Sequence, residues 1–398
     1  MEIRPLTRKD MPQVIKIHQY AYGFWSDQEA QESEYNHIIP ENTLGAFIDG
    51  QLRSVLTIMK VQQSIRGILK PLGGLSMVGS FPEIRTQGFI RALMEHAFID
   101  MHQSNIAVSM LEPFRDTFYA RFGYVPANDQ FRLTAPINGL RVPSKEEIGS
   151  DWTFERMTGL DAKTPYLNFI QEHAPNKYHG YAFNPDISDA EWTYRNKNRQ
   201  FVFVKQNGAT KALLRYQIKG YMHFEEGQLV IDEMYWKTIE AKAALFYFLG
   251  THRDQVQKLQ LRIPYGTHFQ HWFIDLMEWI QIKVWNPWMV RLINAEDAFN
   301  GLPAPVEGDL IFALKDPHCS WNSRLYHIHS DGERLQVDAT SNTPAVTLSI
   351  EGASALVYGT NSLEALEYQG WVKGLDKTTR TLLNQWFPPL LLYNPYTY

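Results

Sequence analysis

Residues 72–94 read LGGLSMVGSFPEIRTQGFIRALM: a strand-like apolar run, a turn and the opening of a helix in immediate succession. Gly73, Gly74 and Gly79 interrupt the run, and glycines inside a strand mark a bulge or a close approach of backbone. After Phe81-Pro82, residues Ile90, Leu93, Met94, Ala97 and Met101 recur at helical spacing as one apolar stripe. A helix start carries unpaired N–H groups and the positive end of the dipole, so the loop before it suits a phosphate. Gly88 admits backbone where a Cβ would intrude, and Arg85 and Arg91 offer charge-assisted donors. R-x-x-G alone also fits a plain helix start. The bulge-prone strand before it, and a second element after it, favour the phosphate loop.

Upstream, Met1–Leu6 reads as a strand, and Thr7 with Asp10 as the cap of a first helix carrying Val14, Ile17, His18 and Tyr22. Gly45–Asp49 and Gln51–Val61 are apolar runs joined by Asp49-Gly50, a hairpin signal, with a third strand expected near Ile65–Leu69. Downstream come a strand at Ile106–Leu111, a short helix at Asp116–Phe122 stopped by Gly123, and a strand at Phe131–Ala135 that closes the unit. The stretch RVPSKEEIGS (141–150) marks a boundary. A second region repeats the order, with strands at Phe201–Gln206, Lys211–Lys219, Leu229–Tyr235 and Leu259–Ile263 and a helix around Ala241–Phe248. Where its phosphate loop should stand, the chain reads KTIEAKAAL, without glycine. A third region has strands at Leu310–Leu314, Arg324–His329, Gln336–Asp338 and Ala345–Ile350 and a helix around Ser354–Tyr358.

The composition agrees with several packed units. The chain has 398 residues, too many for one ordinary core. Its net charge of −5 argues against a nucleic-acid partner, because phosphate backbones select basic faces. The single cysteine, Cys319, cannot form an internal disulfide and fits a reducing compartment. No apolar run reaches the roughly 18 residues of a membrane span, and MEIRPLTRKD is not a secretory leader. A cytoplasmic protein without membrane partners is expected. His327 and His329 share a strand face and His318 adjoins Cys319, but no fourth ligand lies at convincing spacing, so no metal is expected.

The second element is FYARFGY at 118–124. Together with RTQGFIRAL it resembles the acetyl-CoA loop and following helix of GNAT-type N-acetyltransferases. The wider pattern, through LEPFRDTFYARFGY (111–124) and a long C-terminal half, is similar to the Eis family of that superfamily. The resemblance implies an α+β fold: a GNAT acetyl-CoA-binding domain at 1–145, a degenerate GNAT-like domain at 146–294 and a sterol-carrier-like domain with its tail at 295–398. It implies acetyl-CoA as cofactor, held by Val78, Gly79 and Ser80 along the pantetheine arm. The loop Arg85, Thr86, Gln87, Gly88, Phe89, Ile90 and Arg91 would hold the phosphates, with Phe114 and Arg115 beside the coenzyme. Ile90 stands where the family has Gly or Ala.

The implied reaction is attack by a neutral amine on a thioester. It needs a positioned acetyl group, a polarised carbonyl, an acid for the thiolate and a base for the amine. The resemblance assigns the carbonyl to a backbone N–H near Val78 and the acid to Tyr119, which read alone is more readily a core aromatic. It assigns the base to the α-carboxylate of Tyr398, against the ordinary reading of a frayed end; the apolar run PPLLLYNPYTY (388–398) favours docking. Phe24, Trp25 and Asp27 fall where the family's acceptor pocket lies, and also read as ordinary loop and core residues. The expected partner is a small amine, aminoglycoside-like or polyamine-like, and the expected assembly a hexamer of paired trimers. The competing reading is a non-catalytic coenzyme sensor or lipid binder.

Overall fold

The computed structural model describes residues 1–23, 35–36, 38–127, 130–220, 227–274, 280–285 and 288–396. It is a mixed α/β protein built on three sheets. The chain opens with β1 (Glu2–Pro5) and α1 (Met11–Tyr22). Between them the Asp10 carboxylate accepts from the Thr7 N–H (2.8 Å) and hydroxyl (2.9 Å), and Arg4 forks it at 2.9 and 3.0 Å. This cap, expected from Thr7 and Asp10, fixes where α1 begins. Strands β2 (Thr43–Ile48) and β3 (Gln51–Ile65) follow, and Asp49 and Gly50 both take the positive φ of a type I′ hairpin.

The separate strand expected near Ile65–Leu69 is absent. Arg66 and Gly67 form another tight turn with φ of 52° and 82°, so β3 runs through to Ile65 and β4 (Ile68–Ser80) returns beside it. Then come α2 (Phe89–Gln103), β5 (Val108–Leu111), α3 (Asp116–Ala120) and β6 (Val125–Pro126). β4 and β5 are parallel and paired from Leu72↔Val108 to Leu75↔Leu111. β5 stops there while β4 continues to Ser80, so the two part and leave a gap.

β7 (Gln130–Pro136) was expected to close this first unit, but it lies in the second sheet, where it pairs with β13 and β14. That sheet comprises β7, β8 (Trp152–Thr158), β10 (Gln200–Gln206), β11 (Ala209–Lys219), β12 (Gln228–Trp236), β13 (Lys258–Pro264) and β14 (Gln281–Trp285). In return β15 (Met289–Leu292) crosses to the first sheet, between β5 and β6. Burial explains the trade: Leu133 and Ala135 of β7 complete the core of the second sheet, and all four residues of β15 are buried in the first. β9 (Ala182–Phe183) adds to β3 of the first sheet.

The second sheet repeats the strand–helix–parallel strand order. α4 (Lys145–Ile148) lies between β7 and β8, α5 (Lys163–Lys177) and α6 (Asp189–Asn196) lie between β8 and β10, and α7 (Ile239–Gly250) joins β12 to β13, which pair up to Ile231↔Leu261. Beyond Ile231, β12 parts from its neighbour as β4 does. This second gap is filled. Glu233 is buried there, receiving bonds from Tyr166 (3.0 Å to each oxygen), Tyr181 (3.1 Å) and Tyr235 (2.8 Å) and pairing with Arg215 at 2.8 Å. Only Lys237 and Thr238 separate β12 from α7, and the Thr238 hydroxyl caps the helix by accepting from Ala241 N–H (3.2 Å). Among the described residues, the capped start of α7 offers no open helix end for a phosphate.

The third sheet has the order β18-β17-β16-β19-β20: β16 (Glu307–Lys315), β17 (Leu325–Asp331), β18 (Leu335–Ala339), β19 (Val346–Ser349) and β20 (Val372–Lys373). Helices at Ala295–Phe299, Ile350–Tyr358, Leu363–Tyr368 and Lys377–Trp386 accompany it. Phe312, Tyr326, Leu356 and Trp386 share one core with Val61 and Met110 of the first sheet. Among the described residues no helix is long and apolar enough to cross a membrane.

The tail is docked as far as it is described. Leu392, Tyr393 and Asn394 are buried. The Tyr393 N–H donates to His179 O (2.8 Å), and the Asn394 carbonyl accepts from Gln130 Nε2 (3.1 Å) and Trp288 Nε1 (3.2 Å). Thr397 and Tyr398 lie outside the described residues, as do Phe24, Trp25 and Asp27.

Candidate active site

The gap beside β4 opens into a cavity of about 1430 Å³. Its lining includes Val78–Ser80, Arg85 to Arg91, Phe114, Arg115 and Tyr119, so residues named from separate stretches of sequence meet on one surface. α2 begins at Gly88, whose φ of 89° is left-handed and whose cap contains no side-chain bond. A Cβ built on Gly88 would meet nothing within 4 Å, so the helix start opens onto free space, and no side chain caps it among the described residues. Arg85 and Arg91 are exposed beside it. These features fit a diphosphate. Ile90, half-buried, packs against the core and also lines the cavity.

At the other end β4 bulges. Its register against β3 shifts between Val55 and Thr57, and Met77 takes φ 53°. Glycine appears here for packing: a Cβ on Gly79 would lie 3.0 Å from Ile17 Cγ2, so α1 presses directly on β4. Tyr119, from α3, is 3% exposed and set edge-on to Phe118 (5.0 Å) and Phe114 (5.7 Å). Burial raises its phenol well above the ordinary value, with Tyr22 adding to the shift, so it stands protonated at neutral pH. A protonated donor, a backbone bulge and a phosphate cradle in one cleft can hold a phosphorylated thioester and protonate its departing sulfur.

The structure adds residues that sequence reading did not name as site residues. Tyr22 and Tyr35 line the cavity, and Tyr22 donates to Val78 O at 3.0 Å. Burial pushes its phenol up to about 12. Helical spacing placed His18 and Tyr22 on one face of α1, and that was the available signal. Glu112, just past β5, also lines the cavity; partial desolvation raises its carboxyl, opposed by the charges of Arg262 and Arg132. Tyr194 and His318 reach in from the second and third regions, which local patterning could not foretell. His318 Nε2 lies 2.8 Å from Arg121 O, while His327 and His329 both contact Asp309 on the surface, at 2.7 and 3.1 Å. Among the described residues no three His, Cys, Asp or Glu are grouped to hold a metal.

Comparison with known proteins agrees with this geometry. Residues 2–127 match an acetyltransferase (GNAT) domain family, residues 186–292 a second acetyltransferase (GNAT) domain family, and residues 295–391 a sterol carrier protein domain family. An uncharacterized N-acetyltransferase of Streptomyces avermitilis is 23% identical over 319 residues, which is 78% of this chain and 77% of that protein. A GCN5-related N-acetyltransferase from Anabaena variabilis superposes with a TM-score of 0.87 at 17% identity, covering 100% of both chains. Eis1 from Mycobacterium abscessus does so with 0.79 at 16% identity, again over 100% of both.

Proposed function

We propose that this chain, an N-acetyltransferase of the GNAT class and Eis type, moves an acetyl group from acetyl-CoA to the amine of a small molecule. GNAT domains use acyl-CoA donors in general; the acetyl donor, the amine acceptor and the residue roles are our assignment. We divide the chain into a catalytic GNAT unit (1–145), a GNAT-like unit that has lost its coenzyme site (146–294) and a sterol-carrier-like unit with the tail (295–398), with β7 and β15 exchanged between the first two. The observation that carries the reading is the single cleft joining the open α2 N-terminus, the β4 bulge and a buried, protonated Tyr119.

Acetyl-CoA supplies the thioester, whose carbonyl carbon is attacked and whose sulfur leaves. The α2 N–H groups, Arg85 and Arg91 hold its phosphates, and Val78–Ser80 flank the pantetheine. The Val78 N–H polarises the carbonyl, and Tyr119 gives its proton to sulfur as the C–S bond breaks. We assign the base to the carboxylate of Tyr398; its support is the docked course of the tail, which places Asn394 Nδ2 at 3.3 Å from Met110 Sδ on β5. Glu112, whose raised carboxyl faces the same cleft, is the rival base. Phe24, Trp25 and Asp27 are assigned to the acceptor side, and a hexamer of paired trimers to the assembly.

The test is release of free thiol from acetyl-CoA across a panel of polyamines, aminoglycosides and simple amines. Turnover that falls in Glu112→Gln but survives a residue added after Tyr398 moves the base to Glu112. Stabilisation by acetyl-CoA without turnover on any amine supports the coenzyme-sensor reading instead, and stabilisation by fatty acid or sterol alone supports the lipid reading. The phosphate cradle has its own prediction. Gly88→Asp adds a negative charge at the helix start, so the dissociation constant for acetyl-CoA should rise about 30-fold, some 2 kcal/mol. Gly88→Ala, which brings left-handed strain without charge, should weaken binding less than fivefold. Calorimetric titration separates them.

A further inference from the structure

Two side chains of α1, one turn apart, hydrogen-bond to β4. His18 Nε2 lies 3.1 Å from the Met77 carbonyl, and Tyr22 donates to the Val78 carbonyl at 3.0 Å. A carbonyl only accepts, so the His18 proton sits on Nε2 and the lone pair on Nδ1. His18 is wholly buried, Nδ1 has no hydrogen-bond partner among the described residues, and the ring stacks on Tyr35 at 5.5 Å and 25°. Leaving a ring nitrogen orphaned in a buried position carries a cost. Packing alone does not explain why a histidine stands there, since a phenylalanine would fill the same space without it.

What the imidazole does is visible in β4. Met77 sits in the left-handed region at φ 53°, a conformation that a non-glycine residue keeps only where its surroundings hold it. The hydrogen bond from His18 fixes the carbonyl of the Met77–Val78 peptide. That peptide is trans, so its N–H, the Val78 N–H, points the opposite way, away from α1. Val78 lines the cavity. Burial holds the imidazole down to about 4, so near neutral pH it stays an uncharged, one-proton donor.

We propose that His18 is a positioning residue for acetyl transfer: its Nε2–H holds the Met77–Val78 peptide so that the Val78 N–H is aimed at the thioester oxygen. This rests on the reading of the cleft as an acetyl-CoA site and deepens it. His18 touches neither substrate nor coenzyme; it acts through the backbone. Tyr22 secures the next carbonyl along, so the bulge is held at two successive points.

Two substitutions separate hydrogen bonding from packing. His18→Phe keeps a ring against Tyr35 and deletes the donor, whereas His18→Gln deletes the ring and keeps an N–H at a similar reach. The first readout is the infrared carbonyl stretch of acetyl-CoA, carbon-13 labelled at the carbonyl, bound to each full-length protein; it needs no acceptor. The second is kcat for thiol release with the best amine of the panel. In the wild type and His18→Gln the bound stretch should lie below its value in water. In His18→Phe it should return toward the free value, with kcat down about 20-fold and the acetyl-CoA dissociation constant within threefold. An unchanged stretch and kcat in His18→Phe, or a Gln variant as impaired as the Phe variant, overturns the proposal. Failure of the wild type to bind acetyl-CoA overturns the underlying site reading, and this inference with it.

Discussion

Replacing Tyr119 by Phe is expected to lower kcat for acetyl transfer about 10³-fold while the acetyl-CoA dissociation constant changes less than threefold. The size follows from the role: a placed general acid contributes roughly 10²- to 10⁴-fold. The substitution removes one oxygen and leaves the ring among Phe114, Phe118 and Tyr124, with centroids at 5.7, 5.0 and 6.3 Å, so the local packing persists. The pH profile sharpens the test. Burial and Tyr22 raise the Tyr119 phenol above its ordinary value near 10, so the acid form is present at all lower pH and is lost only above it. Native kcat should therefore show no alkaline fall between pH 8 and 10 that the Phe variant abolishes. Stopped-flow turnover, with melting temperature as the folding control, decides. A Phe variant with full kcat would falsify the acid assignment.

Glu233→Ala is expected to destabilise the protein by about 3–5 kcal/mol without weakening acetyl-CoA binding. Glu233 is 3% exposed and answers Arg215 and three tyrosine hydroxyls at once. Deleting it leaves a buried guanidinium without its counter-charge and the hydroxyls without their acceptor. The same reasoning predicts recovery: Glu233→Leu combined with Arg215→Met removes both charges and should regain more than half of the loss. Urea unfolding followed by tryptophan fluorescence measures the first claim and calorimetric titration the second. A single variant as stable as the native protein would show that the cluster contributes no stability.

The helix start after Gly88, the bulge in β4 and the helix bearing Tyr119 were legible because each is local: a glycine ahead of an apolar helical stripe, a strand interrupted by small residues, a short helix ended by Gly123. The Asp49-Gly50 hairpin was legible for the same reason, whereas Arg66-Gly67 makes a like turn with an arginine where that signal has Asp or Asn. What stayed hidden is non-local. Nothing in Leu133 and Ala135 says which of two sheets they complete, because an alternating strand buries its apolar face equally well in either. Tyr194 and His318 enter the cleft from elements far along the chain, and Glu233 looked like one more strand residue until its partners were assembled around it. His18 was visible as a helix-face residue; its use needed the Met77 carbonyl.

The exchange of β7 and β15 has a consequence for how the chain is made. β15 pairs with β5 across a span from Met289 to Leu111, so the first sheet cannot be completed until the chain has been synthesised through Leu292. Such long loop closures slow folding, and an incomplete sheet presents an unpaired edge while it waits. The first unit should thus not survive as an excised fragment ending near residue 145. A piece ending after Leu292 is the shortest that carries every strand of its sheet, and the ribosome must hold an open β5 edge until that strand emerges.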